Sequence, residues 1–168
     1  MPIVLVRVDD RLIHGQILES WLPSTRAQEL LVANDALADD QLQKMIMESA
    51  IPFSVSLRID RVERIASMLK SSEGSEVRQI VLVENPMDAL RLIRAGVEFD
   101  LLNLGNLRSQ QSNIALSASV WVGEDGLDAL LTIIDAGVDV QLQSVPFEKP
   151  VHLCEVVDCR TEALYSAS

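Results

Sequence analysis

Residues 3–22 read I-V-L-V-R-V-D-D-R-L-I-H-G-Q-I-L-E-S-W-L. The stretch opens on an apolar run, Ile3-Val4-Leu5-Val6, and closes on a segment that sets Ile17, Leu18, Trp21 and Leu22 on or near one helical face. Between them fall Arg7, Asp9, Asp10, Arg11 and His14, with Gly15 directly after the histidine. A strand, a short polar loop and a helix open an α/β unit, and open α/β sheets hold ligands and chemistry in such loops. The chain has two histidines, and His14 is one of them. It is the predicted functional centre.

The same alternation continues outward from this unit. Pro23 is expected to end the first helix. Residues 30–33 form a second apolar run, and Leu42, Met45, Ile46 and Ala50 recur at helical spacing over 37–51, interrupted by Ser49 and closed by Pro52. Residues 53–57 alternate as a strand, and Val62, Ile65, Ala66 and Leu69 make the stripe of a helix over 61–69. The polar K-S-S-E-G-S-E at 70–76 is a surface loop. Residues 80–83 have the unbroken apolar character of a strand buried on both faces. Asn85-Pro86 then opens a helix that Gly96 caps. Strands are predicted at 99–104, ending at Gly105-Asn106, within 114–122, and at 138–142, with a helix over 124–136 between the last two. The segment from Pro146 onward has no clear pattern, and 166–168 are expected to be mobile. Short strands alternating with helices predict an α/β fold, an open, mostly parallel sheet with helices on both faces. Residues 1–168 are expected to form a single domain.

Composition narrows the function. The chain is 48% apolar and 23% charged, the balance of an ordinary globular domain. No apolar run nears the roughly 20 residues that span a bilayer, and no basic region precedes a cleavable apolar stretch, so no secretion signal is expected. A net charge of −11 argues against nucleic acid as a partner, but a single phosphoryl group needs only local donors, and Arg7 and Arg11 flank the loop. There is no G-x-G-x-x-G and no P-loop motif. Cys154 and Cys159 are expected as reduced thiols. With His152 they make three potential metal ligands without a fourth, so no metal site is assigned. Trp21 and Trp121 are expected to be packing residues.

The loop has the parts of a phosphoryl acceptor. An ordinary imidazole is largely neutral near pH 7 and a good nucleophile. Arg11 supplies a forked, permanently charged donor for phosphoryl oxygens. Gly15 removes a side chain beside the nucleophile, and N–H groups at the start of the following helix suit an anion. Asp9 or Asp10 would orient Arg11 or the imidazole. The competing reading makes His14 a solvated or structural loop residue, with Asp9 and Asp10 as turn residues. No Ser or Cys nucleophile motif accompanies the histidine, which disfavours a hydrolase.

The stretch R-V-D-D-R-L-I-H-G-Q (Arg7 to Gln16) resembles the active-site loop of the IIB components of the mannose/fructose/sorbose class of bacterial phosphoenolpyruvate-dependent sugar phosphotransferase systems. V-A-N-D-A-L-A-D-D (Val32 to Asp40), E-N-P-M-D-A-L (Glu84 to Leu90), Gly96-Val97 and N-L-G-N (Asn103 to Asn106) extend the resemblance from Pro2 to about Gln143. It implies an open, mostly parallel α/β domain that takes a phosphoryl group from a IIA phosphohistidine and passes it to a sugar entering through membrane components IIC and IID. It implies phosphorylation of His14 at Nδ1, phosphoryl binding by Arg11, and supporting roles for Asp9, Asp10, Gly15 and Gln16. It brings a second loop, Gly105 and Asn106, near the site, and the family often has a glycine where this chain has Asn106. It implies no cofactor, a cytoplasmic location at the membrane complex, and frequent homo-oligomers. A regulatory phosphocarrier without transport and a non-catalytic binding domain are the alternatives.

Overall fold

In the computed structural model, which describes residues 2–159, nine strands and six α-helices follow one another along the chain. The strands are β1 (Ile3–Asp9), β2 (Glu29–Ala33), β3 (Ser56–Asp60), β4 (Gln79–Val83), β5 (Leu101–Asn106), β6 (Ile114–Ala115), β7 (Trp121–Val122), β8 (Asp139–Leu142) and β9 (Val151–His152). The helices are α1 (Leu22–Thr25), α2 (Asp35–Ala38), α3 (Gln41–Ala50), α4 (Val62–Ser71), α5 (Pro86–Arg94) and α6 (Glu124–Asp135). Seven strands form one sheet in the order β3-β2-β4-β1-β5-β8-β9, parallel throughout except for β9 at the edge. β6 and β7 pair separately as an antiparallel hairpin.

Strand β4 shows why the sheet is filled on both sides. Gln79 to Val83 are all buried. Val81 and Val83 join Val6 and Val8 in a core under α4, α5 and α6. Ile80 and Leu82 join Leu5, Leu30 and Val32 in a second core under Ile17, Trp21, Leu22 and Leu37. Alternate residues of one strand thus feed opposite layers. The chain leaves β1 toward β2 on one side and leaves β5 toward β8 on the other. The carboxyl ends of these neighbouring strands therefore flank a topological switch point, the crevice where open α/β sheets bind ligands.

Several boundaries differ from the sequence reading. The first helical segment does not stop at Pro23. It passes through a π-helical turn (Ile17–Trp21) into α1, and Pro23, lacking an N–H, sits in the first turn of α1 where none is required. The segment ends at Arg26, which takes φ +54°. The strand expected at 53–57 is β3, three residues later, because a turn closed by Val55 N–H donating to Pro52 O at 3.0 Å uses up the start of the pattern. On α3 the stripe Leu42, Met45, Ile46 faces solvent. The helix rests instead on Met47, with Ile51 just beyond it. The patternless segment after Pro146 contributes β9 and the buried Leu153. Cys154 and Cys159 are joined in a disulfide, not reduced. The short helical turn at Leu153–Glu155 brings their Cα atoms to 5.4 Å, within bridging distance. The mobility expected at 166–168 lies outside the described residues.

Candidate active site

Strand β1 delivers two charged side chains to its carboxyl end, and both are fully buried: Arg7 and Asp9. A buried guanidinium must be paired and hydrogen-bonded. Arg7 Nη2 donates to Asp9 Oδ2 at 3.3 Å and to Ser144 O at 3.0 Å, while Nη1 donates to Gln143 O at 2.8 Å and to Asn103 Oδ1. The guanidinium lies 5.1 Å from the centre of the Trp21 ring, whose Nε1–H donates to Ser144 O at 3.0 Å. Burial pulls Arg7 down to about 10, partly opposed by Asp9, so it stays cationic at neutral pH. β5 can pass beside it only because residue 105 is glycine. A Cβ there would lie 1.8 Å from Arg7 Nη2.

Asp9 gathers the site. Its Oδ1 accepts from Arg11 N at 3.1 Å and Arg11 Nε at 3.0 Å. Its Oδ2 accepts from Arg7, from Arg11 Nη2 at 3.1 Å, and meets His14 Nε2 at 2.9 Å. Burial pushes this carboxyl up, but hydrogen bonds from His14 and Arg11, with the charges of His14 and Arg7, more than offset it and hold Asp9 at about 2. An ionised carboxylate only accepts, so the proton of this contact sits on His14 Nε2. In the neutral ring Nδ1 then carries the lone pair. The N–H of Gln16 points to that nitrogen at 3.3 Å. Gln16 Oε1 accepts from Arg11 Nη2 at 3.0 Å. The His14 side chain is 14% exposed and that of Arg11 41%.

The loop is shaped by Leu12, at φ +57°. A left-handed leucine costs roughly 1–2 kcal/mol, offset by burying its side chain in the second core, worth about 1.5–3 kcal/mol. The helical segment starts immediately, Ile17 N–H and Leu18 N–H both donating to His14 O at 3.0 and 3.1 Å. Space beside Gly15 is open, with no atom within 4 Å of where a Cβ would stand.

Asp10 points elsewhere. Its Oδ1 accepts from Asn106 Nδ2 at 2.7 Å, its Oδ2 from Arg108 N at 2.9 Å, and its own N–H donates to Asn106 O at 2.9 Å. Of the two aspartates, Asp9 touches the imidazole and Asp10 fastens the second loop. Asp9, Asp10, Arg11, His14, Gln16, Gly105 and Asn106 are thus brought together. Sequence reasoning noted Arg7 as a local positive charge but missed its place at the centre, along with Asn103 and the carbonyls of Gln143 and Ser144. An arginine amid the apolar residues of a parallel strand was the available signal. His152 lies apart, its Nδ1 2.9 Å from Asp139 Oδ1, a contact that raises its pKa. Among the described residues no group of three or more His, Cys, Asp or Glu is placed to hold a metal.

An imidazole with a fixed tautomer, an available Nδ1 and cationic neighbours is equipped to accept an electrophile that carries negative oxygens. Comparison with known proteins identifies the family. The family described as "PTS system sorbose subfamily IIB component" matches residues 3–167. A fructose-specific EIIB component of Bacillus subtilis is 36% identical over 146 residues, 87% of this chain and 90% of the relative. A mannose-specific EIIAB component of Escherichia coli is 26% identical over 94% of this chain, which spans 49% of that longer protein. Among solved structures, the IIB domain of the Klebsiella pneumoniae sorbose permease superposes with a TM-score of 0.85 at 26% identity, covering 92% of this chain and 95% of the other.

Proposed function

This chain belongs to the sorbose-subfamily IIB components of the sugar phosphotransferase system, and we propose that His14 is its phosphoryl carrier. Components of this kind are sugar-phosphorylating transferases. In the proposed reaction Nδ1 of His14 attacks the phosphorus of a IIA phosphohistidine. The donor P–N bond breaks as the new one forms, and no proton is exchanged. The phosphorylated ring, still carrying its Nε2 proton, is an imidazolium whose charge faces Asp9. In the second step a sugar hydroxyl oxygen attacks the phosphorus, the bond to Nδ1 breaks, and the hydroxyl proton passes to water.

The observation that carries this reading is the 2.9 Å contact between His14 Nε2 and Asp9 Oδ2. It supports a proton on Nε2 and a lone pair on Nδ1 free to attack, as a carboxylate behind a catalytic histidine favours. Arg11 completes the acceptor. Its Nε and Nη2 are held by Asp9 and Gln16, and Nη1 has no partner among the described residues, leaving a charged donor for phosphoryl oxygens. The partial exposure of both side chains suits a donor that is itself a protein.

IIA as donor accords with a relative whose name joins A and B in one chain. No helix among the described residues is long and apolar enough to cross a membrane, so the sugar would be met through separate membrane components, IIC and IID, with this chain at their cytoplasmic side. The relatives' names carry different sugars, fructose and mannose. The test is intact-protein mass spectrometry after incubation with phosphoenolpyruvate, the general phosphotransferase proteins and a charged IIA, at neutral to mildly alkaline pH. Wild type gains one phosphoryl group and His14→Ala gains none. Histidine phosphorylation of His14→Ala would overturn the assignment, as would a wild type that stays unmodified.

A further inference from the structure

We propose that the cavity between the 107–113 loop, β7 and the first turns of α5 and α6 binds a neutral polyhydroxylated ligand of hexose size. Naming a hexose rests on the phosphotransferase reading; the class of ligand follows from the cavity alone. Its volume is about 400 Å³, within the range of small-molecule pockets. Pro86, Leu107 and Val122 supply apolar wall, and Trp121 an aromatic one.

The polar groups set the chemistry. Gln111 and Asn113 line the cavity, and neither side-chain amide has a hydrogen-bond partner among the described residues. Each offers both donors and an acceptor. Trp121 Nε1 is buried and unpartnered among the described residues; closed off from solvent, it is not one of the donors the cavity offers. Glu124 and Asp125, also lining the cavity, have no ion-pair partner among the described residues and add acceptors. Hydroxyl groups, which donate and accept at once, satisfy this set. A phosphate or a sugar phosphate suits it less, because Glu124 and Asp125 oppose an anion and the Arg108 guanidinium against Trp121 offsets only one of the two charges. An aromatic ring beside amides and carboxylates suits a ligand with apolar C–H faces and a hydroxyl rim.

The cavity is tied to the phosphoryl loop. Leu107, in its wall, lies between Asn106 and Arg108, both of which hydrogen-bond to Asp10, and Leu107 O accepts from Trp121 N at 2.7 Å. The Arg108 guanidinium lies 5.0 Å from the Trp121 ring centre. One loop thus joins the cavity to the segment that carries His14.

The experiment is titration of ¹⁵N-labelled, unphosphorylated protein with D-fructose, D-mannose and, separately, inorganic phosphate, read by amide and indole chemical shifts. We expect saturable, millimolar shifts from a hexose at residues 107–113 and 121–126 and at the Trp121 indole N–H. Binding should weaken by ~10-fold or more in Gln111→Ala/Asn113→Ala, whose altered side chains are exposed and whose fold the same spectra report. The proposal is overturned if no hexose gives saturable shifts there, if the double variant binds as wild type does, or if phosphate takes the same residues in preference. Repeating the titration on His14→Ala separates the two readings. If His14→Ala still accepts a phosphoryl group while the sugar shifts persist, the carrier assignment fails and the cavity stands; if His14→Ala accepts none and no hexose gives saturable shifts in either protein, the cavity fails and the carrier assignment stands.

Discussion

Asp9 receives donors from Arg7, Arg11 and His14 on its two oxygens, so one carboxylate sets the tautomer of the imidazole and neutralises a buried arginine. Asp9→Asn should therefore act twice. It leaves Arg7 buried without its counter-charge, a loss of roughly 3–5 kcal/mol, and it lets an amide nitrogen face His14 Nε2, favouring the wrong tautomer and slowing phosphoryl acceptance by roughly 100-fold or more. Urea unfolding and a timed phosphorylation assay measure the two effects. Asp9 also predicts an acid dependence. Its folded pKa, about 2, lies below the ordinary 3.8, so the stabilisation is fully present above pH 4 and is lost as pH falls through 2. The difference corresponds to roughly 2 kcal/mol, and a wild-type urea midpoint that falls more steeply than that of Asp9→Asn across this window is the expected result. Arg11 is different because it is partly exposed. Arg11→Ala should cost under about 1 kcal/mol of stability but slow acceptance by on the order of 10–100-fold. Arg11→Lys should restore only part of the rate, since a point charge does not replace the fork.

At the scale of elements, the site is two strand ends held together. β1 supplies Arg7 and Asp9, β5 supplies Asn103, Gly105 and Asn106, and the carbonyls of Gln143 and Ser144, just beyond β8, close over Arg7. Gly105→Ala should drive its methyl into the guanidinium and cost roughly 1–3 kcal/mol or more, with loss of phosphoryl acceptance as Asp9 shifts. Thermal unfolding and the phosphorylation assay check both. Much of this arrangement was legible in the sequence. The run at 3–6 gave the start of β1 and the loop after it the candidate site at its end, and the stripe Val62, Ile65, Ala66, Leu69 on α4 is buried as its spacing requires. The misses have local causes. On α3 two apolar edges compete, and contact with α2 and the strands favours Met47 over the stronger-looking stripe of Leu42, Met45 and Ile46. Arg7 drew attention only as a local positive charge beside His14, because a single chain cannot announce that Asn103, 96 positions away, and residues 143–144, 136 and 137 away, will supply its partners.

For the whole molecule, the order of the sheet puts the crevice between β1 and β5, and the C-terminal segment finishes the edge beyond β8. That segment pairs β9 antiparallel to β8, buries Leu153 in the main core and carries the Cys154–Cys159 disulfide. Closing so short a loop is worth roughly 2 kcal/mol in the chain-entropy treatment, so a reductant should lower the melting temperature by about 4–8 °C. An unchanged melting temperature would mean that the bridge adds nothing to the folded state. The acidic composition, with a net charge of −11, contrasts with the cationic Arg7 and Arg11 that Asp9 gathers beside His14, where the proposed phosphoryl transfer would take place. The most direct measurement is long-range ¹H–¹⁵N NMR of the phosphorylated protein, which reports which ring nitrogen bears phosphorus. If Asp9 governs the tautomer, His14 is phosphorylated at Nδ1 and keeps its proton on Nε2. Phosphorus on Nε2 of His14, or on His152, would contradict it.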